Sequence, residues 1–239
     1  MEINEHQRKK IVELIMSKVD LRENYKDYSW NKDSWKNGYP NICRLELMVS
    51  NLAKERLLDK ECLIEIAQWG GLPKISNIRC DDYIRISLYD KETPSKAFID
   101  EPDNAVSILQ SQIKGFGPTY LTKLLRFAVP KEFGALDTRI VRVFGIGDNN
   151  VSEIQLLNLR ATNYNGRWAI LKTQPGWPSE YGNWIAILKG IADELNRREV
   201  VCPHPEKMVY YGLRNNGEWT VSDVEMGLFA YASKKIMGI

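Results

Sequence analysis

Residues 112–121 read Gln-Ile-Lys-Gly-Phe-Gly-Pro-Thr-Tyr-Leu and lie between two stretches of amphipathic spacing. Gly115 and Gly117 break the first helix, and Pro118 suits the first turn of the next. In such a turn the glycines let backbone N–H groups point outward together, and the following helix N-terminus reinforces them. The chemistry on offer is anion binding, a phosphate gripped by backbone without any reading of base sequence. An ordinary αα-hairpin turn has the same pattern. Charge separates the two. Residues 104–145 carry Lys114, Lys123, Arg126, Lys131, Arg139 and Arg142 against Glu132 and Asp137, a balance of +4 where the whole chain has only +2. A nucleic-acid role would therefore come from this local patch and not from global attraction. Some of these side chains are solvated helix faces, and Arg142 could be structural.

Other chemistries are poorly provided for. Cys43, Cys62, Cys80 and Cys202 form no CxxC pair, and His6 and His204 are the only histidines. No zinc or iron–sulfur spacing results, so no metal site is expected. Free thiols in a reducing cytosol follow. A histidine-based triad is likewise disfavoured, which leaves carboxylates, lysines and tyrosines. With 239 residues, 44% hydrophobic and 27% charged, the chain matches an ordinary globular domain and not a disordered or fibrous one. Apolar runs are cut by charges well before the roughly 20 residues of a membrane span. Met1-Glu2-Ile3-Asn4-Glu5 is no basic start before an apolar stretch, so no secretory signal is expected.

These residues must be positioned by helices. Spacing and caps predict helices over 3–19, 42–57, 59–69, 104–113 (capped by Asp103 or Asn104) and 118–127. Further helices are predicted over 138–143 behind Asp137 and from 179 or 180 to 198. A last helix should start at a capping box, Ser222-Asp223-Val224-Glu225, and run to about 237. Ile84, Ile86 and Leu88 alternate with Arg85 and Ser87, predicting a short strand, and 166–173 predicts another. Residues 25–40 form a polar stretch rich in aromatics. The expectation is a mainly α protein with a minor strand component, its N- and C-terminal helices packing as two lobes.

The second informative segment is Val129-Pro130-Lys131-Glu132-Phe133-Gly134-Ala135-Leu136-Asp137-Thr138-Arg139-Ile140-Val141-Arg142. A hairpin followed by a Gly/Pro loop and Asp-Thr-Arg resembles the helix-hairpin-helix Gly-Pro-Asp (HhH-GPD) superfamily of DNA base-excision glycosylases. The likeness is close over 104–145. Elsewhere only size and helical character agree. It implies one two-lobed glycosylase domain over 1–239, most similar to the small prokaryotic 8-oxoguanine branch. The iron–sulfur branch is excluded by its missing cysteines.

The resemblance implies that Asp137 stands at the mouth of a base pocket. Cleaving an N-glycosidic bond builds positive charge on the sugar, which a nearby carboxylate stabilises while directing water. A plain N-cap is the other reading of Asp137. Bifunctional members place a lysine nucleophile two residues after the second hairpin glycine. Thr119 stands there, 18 residues before Asp137, so a monofunctional hydrolysis is expected. Lys123, one helical turn on, is expected to contact phosphate or solvent, with lyase chemistry through it as an alternative. Lys114, Gly115, Gly117, Thr119, Lys123 and Arg139 are the expected DNA contacts. A flipped base needs aromatic walls, for which Trp30, Trp35, Trp69 and Phe229 are candidates, while Gln68 or Asp223 could read a base edge. The expected partner is double-stranded DNA carrying a damaged or modified base, oxidised guanine first and a hypermodified base of foreign DNA second. No cofactor is expected, although the hairpin could hold a structural monovalent cation. A cytoplasmic, nucleoid-associated monomer follows. The rivals are a non-catalytic hairpin module indifferent to Asp137 and a helical interaction protein.

Overall fold

Gly/Pro punctuation and apolar periodicity produce a mainly helical protein with three small antiparallel hairpins. The computed structural model describes residues 4–146, 148, 151–152 and 154–239. The N-terminal elements are α1 (Glu5–Lys18), α2 (Leu21–Lys26), β1 (Ser29–Trp30), β2 (Asp33–Ser34), α3 (Pro40–Lys54) and α4 (Lys60–Gly70). Next come β3 (Tyr89–Asp90), β4 (Thr93–Pro94), α5 (Lys96–Asp100), α6 (Pro102–Gln112), α7 (Pro118–Ala128) and α8 (Thr138–Phe144). The chain ends with β5 (Ala161–Tyr164), β6 (Arg167–Ile170), α9 (Ser179–Arg197), α10 (Glu206–Tyr210) and α11 (Val221–Met237).

Two helices are enclosed on nearly every side, α7 from Leu121 to Ala128 and α11 from Val221 to Ser233. α3, α4 and α6 pack on α7, whereas α2, α8 and α9 pack on α11, and α6 also touches α9. A helix buried all round needs partners for any polar residue it carries. Glu46 on α3 supplies one. It pairs with Arg126 of α7 at 2.9 Å and with Arg214 at 2.7 Å, and Arg214 in turn holds Asp223 of α11 at 2.8 Å. This chain of buried charges ties the two helix groups together.

Three local expectations change. Ile84, Ile86 and Leu88 are buried and Arg85 is exposed, as the alternation requires, yet residues 84–88 form no strand. Their backbone groups go elsewhere: Ile84 N–H donates to Leu58 at 2.7 Å, and the Gln112 side chain bonds both backbone groups of Arg85. α6 starts earlier than expected, with Glu101 as N-cap and Pro102 at the first position, so neither Asp103 nor Asn104 caps it. The box opening α11 is Thr220 with Asp223, two residues before the expected Ser222.

Candidate active site

The hairpin between α6 and α7 uses its two glycines differently. Gly115 has φ +86°, and a Cβ there would lie 2.4 Å from the Asn77 carbonyl oxygen. The close approach is fixed by a backbone bridge between Arg79 and Lys114, with N···O distances of 3.1 and 2.8 Å. Gly117 instead has φ −91°, caps α7, and would point a Cβ into open space. Gly115→Val is therefore expected to lower the melting temperature by about 5–10 °C through backbone strain and clash. Gly117→Val should melt near wild type but bind DNA more weakly whatever its sequence, because the new side chain obstructs a phosphate at the α7 N-terminus. Melting curves and duplex affinities for both variants check this.

Gly117, Pro118, Thr119 and Tyr120 form one wall of a cleft of about 880 Å³. The start of α8 and β6 line the cleft as well, as do Lys123 and Asp137. Asp137 is the N-cap of α8: its Oδ1 accepts from the Arg139 N–H at 3.0 Å and the Thr138 hydroxyl at 3.3 Å. Oδ2 lies 3.3 Å from Lys123 Nζ, and both side chains are about nine-tenths buried. Capping thus occupies one oxygen and leaves the other facing an amine.

Lys123 accordingly does not reach into solvent or outward to a backbone phosphate, as the sequence reading had it. Its Nζ sits 5.2–5.4 Å from the ring centres of Trp30, Trp69 and Tyr120, where ring faces attract a cation. The box is held by directional bonds. Trp69 Nε1 donates to Asp33 at 2.8 Å, Trp30 Nε1 to the Trp69 carbonyl at 3.0 Å, and the Tyr120 hydroxyl to the Gly70 carbonyl at 3.0 Å. The β1–β2 hairpin that supplies Trp30 and Asp33 carries no sequence signal beyond its aromatic content.

Behind Lys123 and Asp137 lies a seam walled by Tyr28, Trp30, Trp69 and Phe229. Its free volume is about 10 Å³, so a base enters only if a ring or Lys123 moves aside. Phe229 packs on Tyr28 and Trp30 at centroid distances of 5.3 and 5.9 Å. Arg139 stacks 5.1 Å above both Trp30 and Phe229 and donates to Ser233 at 2.9 Å, closing the seam towards the cleft. Trp69 and Phe229 are therefore brought together as expected, while three other candidates are not. Gln68 is exposed and lines neither cavity. Trp35 donates to the Pro203 carbonyl, away from the seam. Asp223 is fully buried with Arg214 and Thr220 bonded to its carboxylate, so it is committed to structure and reads no base edge. Lys114 is exposed beside the hairpin, and Thr119 lines the cleft.

Glu225 is the polar group that sequence reading missed. It sits at the inner end of the seam, 3.9 Å from Arg126. Burial, with Asp137 nearby, pushes its carboxyl up to about 7, against the opposing pull of Arg126, Lys123 and the Ala135 N–H. Between its ordinary 4.5 and about 7, the folded state keeps a proton that the unfolded chain releases. This group's contribution to stability is thus complete below the lower value and lost as pH rises through the upper one, a change of about 3 kcal/mol. Glu225→Gln should remove that dependence. Its melting temperature relative to wild type should be higher at about pH 8 than at about pH 5, and equal differences at both would show that folding leaves the proton affinity of Glu225 unchanged.

Among the described residues, one group has metal-like composition: Cys202, His204 and Asp223, whose ligand atoms lie within 4.8 Å of one another. The sequence spacing gave no hint of it. His204 Nε2 donates to the Glu218 carbonyl at 2.7 Å, Asp223 holds Arg214, and burial raises the Cys202 thiol well above its usual value. The trio is thus bonded into the core. No described helix is long and apolar enough to cross a membrane. Comparison with known proteins finds no family model, no curated protein and no solved structure that matches the chain.

Proposed function

We propose that this protein is a DNA glycosylase of the HhH-GPD type that flips a damaged or modified base from duplex DNA and cleaves its N-glycosidic bond. The helices around α7 and those around α11 are then the two lobes, and the cleft between hairpin and α8 receives the strand. The observation that carries the reading is Asp137. It is a carboxylate lining a cleft that a helix N-terminus also lines, with one oxygen spent on capping and the other 3.3 Å from the Lys123 amine. Positive charge developing at the sugar C1′ is stabilised by that oxygen, and water approaching C1′ is oriented by it. The flipped base goes into the aromatic seam once Trp30, Phe229 or Lys123 yields.

The Lys123–Asp137 distance favours a second reading, a bifunctional glycosylase. Asp137 would take a proton from the Lys123 ammonium, and the free amine would attack C1′ as the base departs with the bonding electron pair. Opening of the sugar ring would follow, the C1′–O4′ bond breaking as O4′ takes a proton and the nitrogen gives one up, and the resulting Schiff base would permit elimination of the 3′ phosphate. Oxidised guanine is the favoured substrate and a hypermodified base of foreign DNA the next, for a monomer acting in the cytoplasm on the nucleoid. The test is abasic-site detection on duplexes bearing a panel of lesions, run alongside modified phage DNA. Base release supports the proposal. Binding without release leaves a hairpin clamp, and neither leaves an interaction protein.

A further inference from the structure

The β5–β6 hairpin forms a wall of the cleft that the motif residues do not account for. Its register pairs Ala161 with Ile170, Thr162 with Ala169, Asn163 with Trp168 and Tyr164 with Arg167. Side chains alternate along each strand, so Trp168 and Ile170 share one face while Arg167 and Ala169 share the other. The first face is fastened down. Ile170 and Ala161 are buried, and the Arg142 guanidinium stacks 4.0 Å above Trp168 while holding Asp148 at 2.7 Å. The second face is free at its tip, where Tyr164 and Arg167 are exposed, and all four residues of β6, Arg167 to Ile170, line the cleft.

Tyr164 stands directly across from Arg167 on that free face, at the pair spacing of about 5 Å between Cβ atoms. Tyr164 is 52% exposed. The tip is a two-residue turn, Asn165 and Gly166, both at positive φ (52° and 84°), the geometry whose twist matches the strands it joins. The pair is thus held out on a stiff support. Residues 160–172 contain Arg160, Arg167 and Lys172 and no acidic residue. An exposed ring beside a guanidinium, on a basic element continuous with the cleft, has the composition of a single-strand stacking platform.

We propose that Tyr164 and Arg167 clasp DNA at the site of base eversion, Arg167 on a backbone phosphate and the Tyr164 ring stacked on a base exposed by the gap. This rests on the DNA-binding half of the reading above and goes beyond it by naming a second contact and the state of DNA it prefers. Stacking needs an uncovered base face, so Tyr164 should matter where the duplex is interrupted. The Arg167 contact, being electrostatic, should matter everywhere.

The experiment measures affinity of the full-length protein for a fully paired duplex and for the same duplex with a tetrahydrofuran abasic site. Tyr164→Ala should weaken binding to the abasic duplex about tenfold or more, weaken the paired duplex far less, and leave the melting temperature unchanged. Tyr164→Trp should restore it. Arg167→Ala should weaken both duplexes and lower the slope of log affinity against log salt by about one. Unchanged binding by Tyr164→Ala, or equal loss on both duplexes, overturns the stacking role. If wild type binds neither duplex, the DNA reading and this inference fall together. If it binds, releases no base, and Tyr164→Ala still shows the gap-specific loss, the inference stands and only the catalytic half of the proposal fails.

Discussion

Asp137→Asn is expected to lower base release by at least about a hundredfold, the usual consequence of removing one group that stabilises transition-state charge. Duplex affinity should stay within a few fold of wild type. Asparagine keeps an oxygen for the Arg139 N–H, so α8 remains capped. What it loses is the charge on the oxygen that faces Lys123. The substitution also leaves the buried Lys123 ammonium without its counter-charge, so a loss of stability is expected alongside the loss of turnover, and turnover is compared under conditions where the variant is folded. Single-turnover assays of abasic product, with melting curves as control, make the measurement. Turnover near wild type would reduce Asp137 to a cap and remove the main support for a glycosylase.

The second large effect is expected at Lys123. If its amine attacks the sugar, borohydride will trap a covalent protein–DNA adduct, and Lys123→Ala will abolish it. If Asp137 instead directs water, wild type will give an intact abasic product with little adduct. Thr119→Lys would then gain trapping, because it places an amine on the cleft wall. The structure shifts the weight between these outcomes. Spacing alone puts Lys123 about 6 Å beyond Thr119 along the helix, which reads as too far from the chemistry. Folding brings its Nζ to 3.3 Å from Asp137, inside three aromatic rings. Lys123→Ala also removes the cation that balances Asp137 in a buried site. A loss of stability in this variant is therefore expected as well, and Lys123→Arg, which keeps the charge but forms no Schiff base, separates the two effects.

Much of the scaffold was legible. The N-cap role of Asp137, the turn at Gly115–Gly117 and the start of α7 at Pro118 appear where residue type demanded them. Long helices such as α9 and α11 follow from apolar periodicity. The segment 84–88 misled because alternation reports one buried side, whereas a strand also needs a hydrogen-bonding neighbour. Its neighbours turned out to be a loop carbonyl and a glutamine side chain.

The sequence by itself determined the helical framework, the hairpin and the capped aspartate, because each is encoded within a few residues by backbone constraint, capping chemistry or period. Only the tertiary structure decided which charges share a buried space. Glu46, Arg126, Arg214 and Asp223 come from four distant segments, and their mutual compensation withdrew Asp223 from the pocket. Glu225, on the same helix, was left at the seam with its proton affinity raised. The amine and carboxylate in the cleft, 14 residues apart in sequence, meet because the segment after α7 folds back onto it, with the Leu136 N–H donating to the Thr122 hydroxyl at 2.9 Å. Burial removes water as the competing partner, so such pairings depend on packing between elements and leave no local signature in the chain.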